Sequence, residues 1–207
     1  GGVSSSTILY RNDDGTLAAV DEGMTDLREG AIALGELDST DGTDAVIFGR
    51  EDSTSTTYTE FYSGSGTSFA LIGDPAQDGI PDLNSGAVVL VDIDDDGDLD
   101  LVLSGQRVSP TSTPVTEILL NDIDNGTPEN FVSTSAGPFY SLLAGDLAVA
   151  ELNGEAGLEL INTGRNSASS GPYTYYYENF DLVDNGNGWF PTLSPFKPTR
   201  FGSISLA

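Results

Sequence analysis

A segment of 20 residues occurs three times in this 207-residue chain, and the three copies align without a gap. The copies are GAIALGELDSTDGTDAVIFG (30–49), GAVVLVDIDDDGDLDLVLSG (86–105) and GDLAVAELNGEAGLELINTG (145–164). Their first glycines are 56 and 59 residues apart, and a fourth start, GSISLA, follows 57 residues later at Gly202. Such a repeat indicates similar units that bury their apolar faces against one another.

Each repeat contains the patterns of four short β-strands. Two apolar stretches flank an acidic loop inside the 20-residue segment. Between these segments, an apolar or aromatic stretch meets a turn rich in Gly, Asn and Asp and is followed by a returning stretch, at 7–20, 59–72, 116–133 and 173–190. The β-branched and aromatic residues and the turn chemistry predict β-hairpins there. Since no segment has a helical period over more than two turns, we predict an all-β chain.

A four-stranded repeat cannot bury both of its faces alone, and radial packing of such sheets gives a β-propeller. We therefore predict a β-propeller segment of four-stranded antiparallel blades, with about three repeats and partial blades at both ends. The predicted units are a half blade (1–29), three repeats (30–85, 86–144 and 145–201) and the first strand of a further repeat (202–207). A β-sandwich is the alternative, but it predicts neither a fixed period nor a recurring glycine-to-acid spacing.

Closed propellers usually have about 4–8 blades, so about three repeats form an open arc. We expect the arc to be completed by further blades of the same polypeptide, about seven in all, or by neighbouring copies in an oligomer or filament. An isolated arc would expose blade faces and unpaired strand edges, which favour association.

The middle repeat concentrates its charge in the stretch VDIDDDGDLDLVL (91–103). Aspartates occupy positions 1, 3, 5, 7 and 9 of a loop at 92–100, with Gly97 at position 6. Hard cations such as Ca²⁺ take about 6–8 oxygen ligands, and carboxylates at positions 1, 3 and 5 with a glycine at 6 can surround one ion. An EF-hand also requires a glutamate at position 12 and two helices, but Leu103 stands there within a predicted strand. The spacing therefore predicts a Ca²⁺ loop that connects two strands of one sheet.

This D-x-D-x-D-G-x-x-D loop between strands, followed by a terminal glycine, resembles the FG-GAP repeat family, also described as VCBS-type repeats. It is similar to the calcium-binding blades of integrin α-subunit propellers. Phe48–Gly49 stands where the family has its FG pair, whereas Ser104–Gly105 and Thr163–Gly164 keep only the glycine. The stretch ILYRNDDGTL (8–17) looks like the LYRN-x-G-x-G-T-F hairpin of bacterial members. The resemblance covers almost the whole chain and implies a propeller fold with calcium in the loops.

The resemblance also implies which loop residues bind the ion, through side chains at positions 1, 3, 5 and 9 and the backbone carbonyl at position 7. In loop two these residues are Asp92, Asp94, Asp96, Asp100 and, by its carbonyl, Asp98. In loop one (36–44) they are Glu36, Asp38, Thr40, Asp44 and, by its carbonyl, Gly42. In loop three (151–159) they are Glu151, Asn153, Glu155, Glu159 and, by its carbonyl, Gly157. Position 6 is Asp41 in loop one and Ala156 in loop three, so we expect one strong Ca²⁺ site in loop two and two weaker sites.

The composition excludes several classes of function. The chain has no cysteine and no histidine, which excludes disulfides, thiolate metal sites and Ser-His or Cys-His catalysis. Its 33 acidic and 7 basic residues give a net charge of −26, which disfavours nucleic acid and anionic lipid as partners. A surface suited to high salt also accounts for the charge, but not for its clustering. Neither a run of 18 apolar residues nor a basic-then-apolar start is present, so no membrane span or intact signal peptide is predicted.

The expected function is an extracellular calcium-binding module for adhesion, ligand binding or surface or filament assembly. Cation sites of extracellular modules typically have dissociation constants of about 10⁻⁴–10⁻³ M, which only calcium-rich surroundings fill. The expected partner is a protein or glycan ligand on a cell surface or matrix. The alternative is a propeller that supports, or forms the catalytic part of, a polysaccharide-degrading enzyme, because paired carboxylates hydrolyse glycosides without histidine. We expect no catalytic residues, since the clustered carboxylates fit metal ligation by position.

Overall fold

The structure is a computed structural model of the chain. It describes residues 7–20, 23–66, 68–72, 79–108, 112–121, 131–133, 139–154, 157–166, 172–180, 191–193 and 204. Within these residues every regular element is a β-strand and no helix occurs, so the predicted all-β class is confirmed. The same residues contain no helix with the length and apolar character needed to cross a bilayer.

The strands form one hairpin and three four-stranded sheets, which we number in chain order. The N-terminal hairpin consists of β1 (Leu9–Asp13) and β2 (Thr16–Val20). The first sheet consists of β3 (Leu27–Gly35), β4 (Asp44–Glu51), β5 (Thr57–Gly64) and β6 (Phe69–Leu71). The second consists of β7 (Leu83–Val91), β8 (Asp100–Arg107), β9 (Thr113–Leu120) and β10 (Val132–Ser133). The third consists of β11 (Leu143–Ala150), β12 (Leu158–Arg165), β13 (Pro172–Phe180) and β14 (Pro191–Leu193).

In each sheet, consecutive strands are neighbours and run antiparallel, which confirms the predicted four-stranded antiparallel sheets. The acidic loops connect the first strand of a sheet to the second, and the outer hairpin supplies the third and fourth strands. Each acidic loop therefore follows the end of a first strand. The last residue of each loop lies in the second strand, and the pairing of that strand in the sheet fixes its position.

The first strand of every sheet carries a β-bulge at the first glycine of the repeat, namely Gly30, Gly86 and Gly145. A Cβ at these three positions would lie 2.1, 1.7 and 1.6 Å from a carbonyl oxygen on the second strand. The residue before each glycine has a φ of 53–54°. The repeated glycine is thus required by a close approach of two backbones at a bulge.

Apolar side chains fill the space between neighbouring sheets. The first core contains Val46 and Phe48 of the first sheet and Val88 and Leu103 of the second. The second core lies between the second and third sheets and is closed by Tyr177, which is fully buried. The first strands also contact one another in order, β3 with β7 and β7 with β11. The three sheets therefore pack face to face in chain order.

Candidate metal centre

Loop two brings three predicted ligands together between β7 and β8. The ligand atoms of Asp92, Asp94 and Asp100 all lie within 4.8 Å of one another. Two residues of the turn between Asp94 and Asp100 have a positive φ, namely Asp95 (61°) and Gly97 (100°). A turn of this kind folds the chain back on itself, so alternate carboxylates point into one small volume.

Asp100 anchors this group to the sheet. Its side chain has 0% exposure, and its carboxylate accepts the backbone N–H groups of Ile93 (2.7 Å) and Asn121 (2.8 Å). Burial raises the pKa of Asp100 to about 6, with the neighbouring charges of Asp94 and Asp96 adding to the rise and the two hydrogen bonds opposing it. The fold thus holds this carboxylate in place while disfavouring its negative charge.

Asp92 and Asp94 each present an oxygen that lacks a donor. Asp92 Oδ1 and Asp94 Oδ1 are shielded from solvent and accept no hydrogen bond from any described residue. Burial, and next the charge of Asp96, raise the pKa of Asp94. A buried polar atom without a partner costs about 1–3 kcal/mol. These oxygens fit a hard cation, which would satisfy both of them and offset the repulsion between the carboxylates.

The other two predicted ligands of loop two lie nearer to solvent. Asp96 is exposed, and its Oδ1 accepts the backbone N–H of Asp98 at 2.9 Å. Asp96 lies close enough to Asp94 to hydrogen-bond with its carboxyl group, although it is not a member of the three-residue group. The ligation by the Asp98 carbonyl stays a prediction.

Loop one forms a second acidic group. The ligand atoms of Glu36, Asp38 and Asp44 lie within 4.8 Å of one another. Asp44 is fully buried, and its carboxylate accepts the N–H groups of Leu37 (2.7 Å), Asp38 (3.1 Å) and Gly64 (2.9 Å). Burial raises the pKa of Glu36, and the charges of Asp44, Asp38 and Asp41 raise it further.

Loop one supplies more donors to its central carboxylate, Asp38, than loop two supplies to Asp94. Thr40 donates both its N–H (2.7 Å) and its hydroxyl (2.5 Å) to Asp38 Oδ1. Burial acts to raise the pKa of Asp38, but these bonds and one from Ser63 outweigh it and lower that pKa. A Cβ at Gly42 would lie 1.9 Å from the carbonyl oxygen of Gly64, so the glycine at position 7 has a packing reason. Loop one therefore needs a cation less than loop two does.

The described part of loop three is held by its own hydrogen bonds. Glu159 is fully buried and accepts the N–H of Leu152 and the side-chain Nδ2 of Asn153, each at 2.6 Å. Glu151 Oε1 accepts the N–H of Gly154. Among the residues described in this loop, no group of three acidic ligand atoms occurs. The predicted ligand Glu155 lies outside the described residues, and Gly157 is half-buried with a φ of 114°.

Sequence reasoning missed a second role of position 9. The three residues there, Asp44, Asp100 and Glu159, accept the backbone N–H of the second residue of their own loop. The carboxylate therefore closes the loop without any ion. The signal in the sequence is that position 9 is acidic in all three loops although positions 3, 5 and 6 vary.

No model of a known protein family, no curated protein and no solved structure matches this chain. The function of this chain is therefore inferred from the geometry of its loops and from its sequence pattern. Loop two carries the most weight, because it combines three converging carboxylates with two shielded oxygens that lack donors.

Proposed function

We propose that this chain is a calcium-binding β-propeller module of an extracellular or cell-surface protein, acting in adhesion, ligand binding or surface assembly. The observation that carries the proposal is the pair of shielded, donor-free oxygens of Asp92 and Asp94 beside the buried Asp100. A protein gains stability when an ion that binds only the folded state occupies such a site.

The chemistry of the donor set favours Ca²⁺ among the common cations. All the converging atoms are carboxylate oxygens, and the chain has no histidine or cysteine to select zinc, copper or iron. Mg²⁺ demands a near-ideal octahedron and keeps several waters, whereas Ca²⁺ accepts irregular sets of about 6–8 oxygens. A nine-residue loop with acids on alternate positions suits the less demanding ion.

The propeller part of the proposal is supported by the way in which the sheets follow one another. Each sheet has four antiparallel strands in chain order, and successive first strands contact one another. The resemblance to FG-GAP repeats agrees with this order of strands and with the position of the acidic loops. Radial packing of further sheets on both sides would close the arc.

The proposed location and partners follow from the charge and the type of site. Extracellular fluid supplies the calcium that a weak loop site needs. A net charge of −26 repels polyanions, so nucleic acid is not a proposed partner. A protein or glycan on a cell surface or matrix is the proposed ligand.

Calcium titration of three forms of the chain tests the proposal. We expect Asp94→Asn to weaken the tightest calcium site by about tenfold or more, because it removes a converging carboxylate. Asp95→Asn is the matched control, since it removes the same charge one residue away and asparagine tolerates the φ of 61° at that position. Isothermal calorimetry and terbium luminescence measure the affinity. A wild-type chain that takes up no calcium, or two variants with the same affinity, would contradict the proposal.

A further inference from the structure

Loop one lies against the second sheet through the residue at its position 2. The side chain of Leu37 is fully buried in the first core, which also contains Leu101 and Leu119 of the second sheet. The N–H groups of Leu37 and Asp38 both donate to Asp44 Oδ2, at 2.7 and 3.1 Å. The part of loop one that holds its position-9 carboxylate therefore lies beside the sheet that carries loop two.

Asn121, which directly follows β9, contacts both acidic loops. Its backbone N–H donates to Asp100 Oδ1 at 2.8 Å. Its side-chain Nδ2 lies 3.3 Å from two carbonyl oxygens, that of Leu99 in loop two and that of Leu37 in loop one. Because carbonyl oxygens only accept hydrogen bonds, these two fix the orientation of the amide. One residue thus links position 2 of loop one to positions 8 and 9 of loop two.

The bond to Leu37 continues into loop one through a single peptide group. The carbonyl of Leu37 and the N–H of Asp38 belong to the same peptide bond. This peptide group accepts from Asn121 on one side and donates to Asp44 on the other. Hydrogen bonds in such a chain polarise and strengthen one another. Asp44 and Asp100, the predicted position-9 ligands of the two loops, are therefore joined by three consecutive hydrogen bonds through Asn121.

Neither packing nor the backbone bond requires an asparagine at this position. Asn121 is 1% exposed, and its Oδ1 is shielded from solvent without a donor among the described residues. An apolar side chain would avoid the cost of that buried oxygen. In the first sheet the N–H of Gly64 makes the equivalent bond to Asp44 (2.9 Å) without any side chain. What the amide of Asn121 supplies is the connection between the loops.

Hydrogen bonds of a second kind join neighbouring units at the opposite end of the first strands. Thr59 donates its N–H to Asp82 Oδ1 (2.9 Å) and its hydroxyl to the carbonyl of the residue before Asp82 (2.8 Å), just ahead of β7. Thr7 makes the same two bonds with Asp26 (2.7 Å) and with the residue before Asp26 (2.9 Å), just ahead of β3. Loops one and two follow these strands, so the threonine bonds do not reach them.

We propose that Asn121 is a positioning residue that couples the two acidic loops, so that an ion bound in loop two tightens the site in loop one, and the reverse. This inference rests on the proposed calcium function. An ion that holds Asp100 fixes the acceptor of the Asn121 N–H, and the side chain of Asn121 then holds the peptide group that donates to Asp44. Coupling of this kind is reciprocal and typically changes an affinity by about 5- to 150-fold.

Site-resolved calcium titration of the full chain by NMR tests the coupling. The amides of Leu37 and Asp38 report on loop one, and the amide of Ile93 reports on loop two. We expect loop one to bind calcium at least about fivefold more tightly in the wild-type chain than in Asp94→Asn, whose loop two has lost a converging carboxylate. In an Asn121→Ala background this difference should vanish.

Asn162→Ala is the matched control. Asn162 is equally buried (1%), and its Oδ1 also lacks a donor among the described residues. Its Nδ2 bonds Thr116 Oγ1 of the neighbouring sheet (3.3 Å) and the carbonyl of Tyr140 (3.2 Å), neither of which belongs to loop one or loop two. Both alanine substitutions replace one neutral residue by another, so the electrostatic effect of an ion in one loop on the other is unchanged. The difference in loop-one affinity should survive in the Asn162→Ala background.

Hydrogen exchange in the presence of a chelator tests the same link without the ion. Asn121→Ala should raise the exchange rates of the Leu37 and Asp38 amides by about fivefold or more relative to Asn162→Ala, because the peptide group between them loses its bond to the second sheet. A chain that takes up no calcium but shows this difference would refute the proposed function alone, so the two failures are told apart.

Three results would overturn this inference. Equal exchange rates of the loop-one amides in the two alanine variants would mean that Asn121 does not hold loop one. Calcium uptake by both loops with the same loop-one affinity in the wild-type chain and in Asp94→Asn, a comparison that leaves Asn121 intact, would mean that the loops are independent. A difference in affinity that persists in the Asn121→Ala background would assign the coupling to another contact.

Discussion

At the scale of single residues, the acidic loops contain carboxylates with different surroundings, some of them held by backbone N–H groups and some of them not. Asp100 has no exposed surface, and it accepts two backbone N–H groups from two different segments. Asp94, six residues earlier, is surrounded by like charges instead. The fold thus supplies donors to both oxygens of Asp100 and leaves Asp94 Oδ1 without one.

The pH dependence of stability tests this arrangement. Because the pKa of Asp100 in the folded chain is about 6 and its ordinary value is 3.8, the fold favours the protonated form. Without calcium, stability should fall as the pH rises from about 4 to about 6, by at most about 3 kcal/mol from this group. Calcium should reverse the trend, because the ion requires the ionised carboxylate.

Thermal melts between pH 4 and 7, with chelator and with excess calcium, measure this effect, and Asp100→Asn is the reference without a titrating group at that position. The wild-type chain in chelator should lose stability relative to the reference as the pH rises. A wild-type chain in chelator that gains stability relative to the reference over this range would show that Asp100 does not titrate as inferred.

Three of the four side-chain ligands predicted in loop two, Asp92, Asp94 and Asp100, converge, since alternate positions of a tight loop point to one side. The fourth, Asp96, is exposed and lies outside this group. The orientation of Asn153 could not be predicted from the sequence, because an amide offers either an oxygen or an N–H group. Glu159 accepts a hydrogen bond from the Nδ2 of Asn153, so in loop three an amide donor satisfies this carboxylate. Only the three-dimensional location of Glu159, at position 9 of the loop, decides whether Asn153 turns its oxygen or its N–H group inward.

At the scale of elements, the number and order of strands in each sheet followed from the apolar patterns and the turn residues. The bulges could not be predicted in this way. A shift in register depends on the backbone of the paired strand, and the local sequence alone does not set it. The return strand β14 (Pro191–Leu193) lies just beyond the predicted hairpin at 173–190. It is only three residues long, and a strand that short has too few residues to show an alternating pattern.

The bulge glycine gives the sharpest prediction at this scale. A Cβ at Gly86 would lie 1.7 Å from the carbonyl oxygen of Ser104, so Gly86→Ala must separate β7 from β8. We expect a loss of about 3 kcal/mol or more in the free energy of unfolding. Gly66→Ala is the control, because Gly66 has a positive φ but nothing within 4 Å of the added Cβ, and about 1 kcal/mol is expected there. Urea denaturation measures both, and equal losses would refute the packing argument.

At the scale of the whole molecule, unbalanced charge opposes the compact state. The chain carries 33 acidic and 7 basic residues, and the ion pairs of the described residues involve Arg11, Arg28, Arg50 and Arg107. Because acidic residues outnumber basic ones 33 to 7, most of the negative charge is not balanced by a basic side chain. Long-range repulsion of this kind is screened beyond about 8 Å at 0.15 M salt.

Monovalent salt should consequently raise the melting temperature even when calcium is saturating. The measurement is a series of melts in sodium chloride from about 0.05 to 1 M, a range over which the screening length falls severalfold. Asp95→Asn, which removes one exposed charge, should show a slightly smaller salt effect. A melting temperature that stays flat or falls with salt would mean that the surface charges do not limit stability.

The paired hydrogen bonds of Thr7 and Thr59 bear on how such a chain can change its length in evolution. Thr7 lies two residues before β1 and donates its backbone N–H to Asp26, and Thr59, the third residue of β5, donates its own to Asp82. Each aspartate precedes the leucine that begins a first strand. Deletion of residues 27–82, one period of 56 residues, would join Asp26 to Leu83 and recreate the same D-L-x-x-G-A sequence. A duplication or deletion of one such period keeps this hydrogen bond between a threonine and an aspartate. A chain of this type can therefore gain or lose a whole sheet without needing a new contact between sheets.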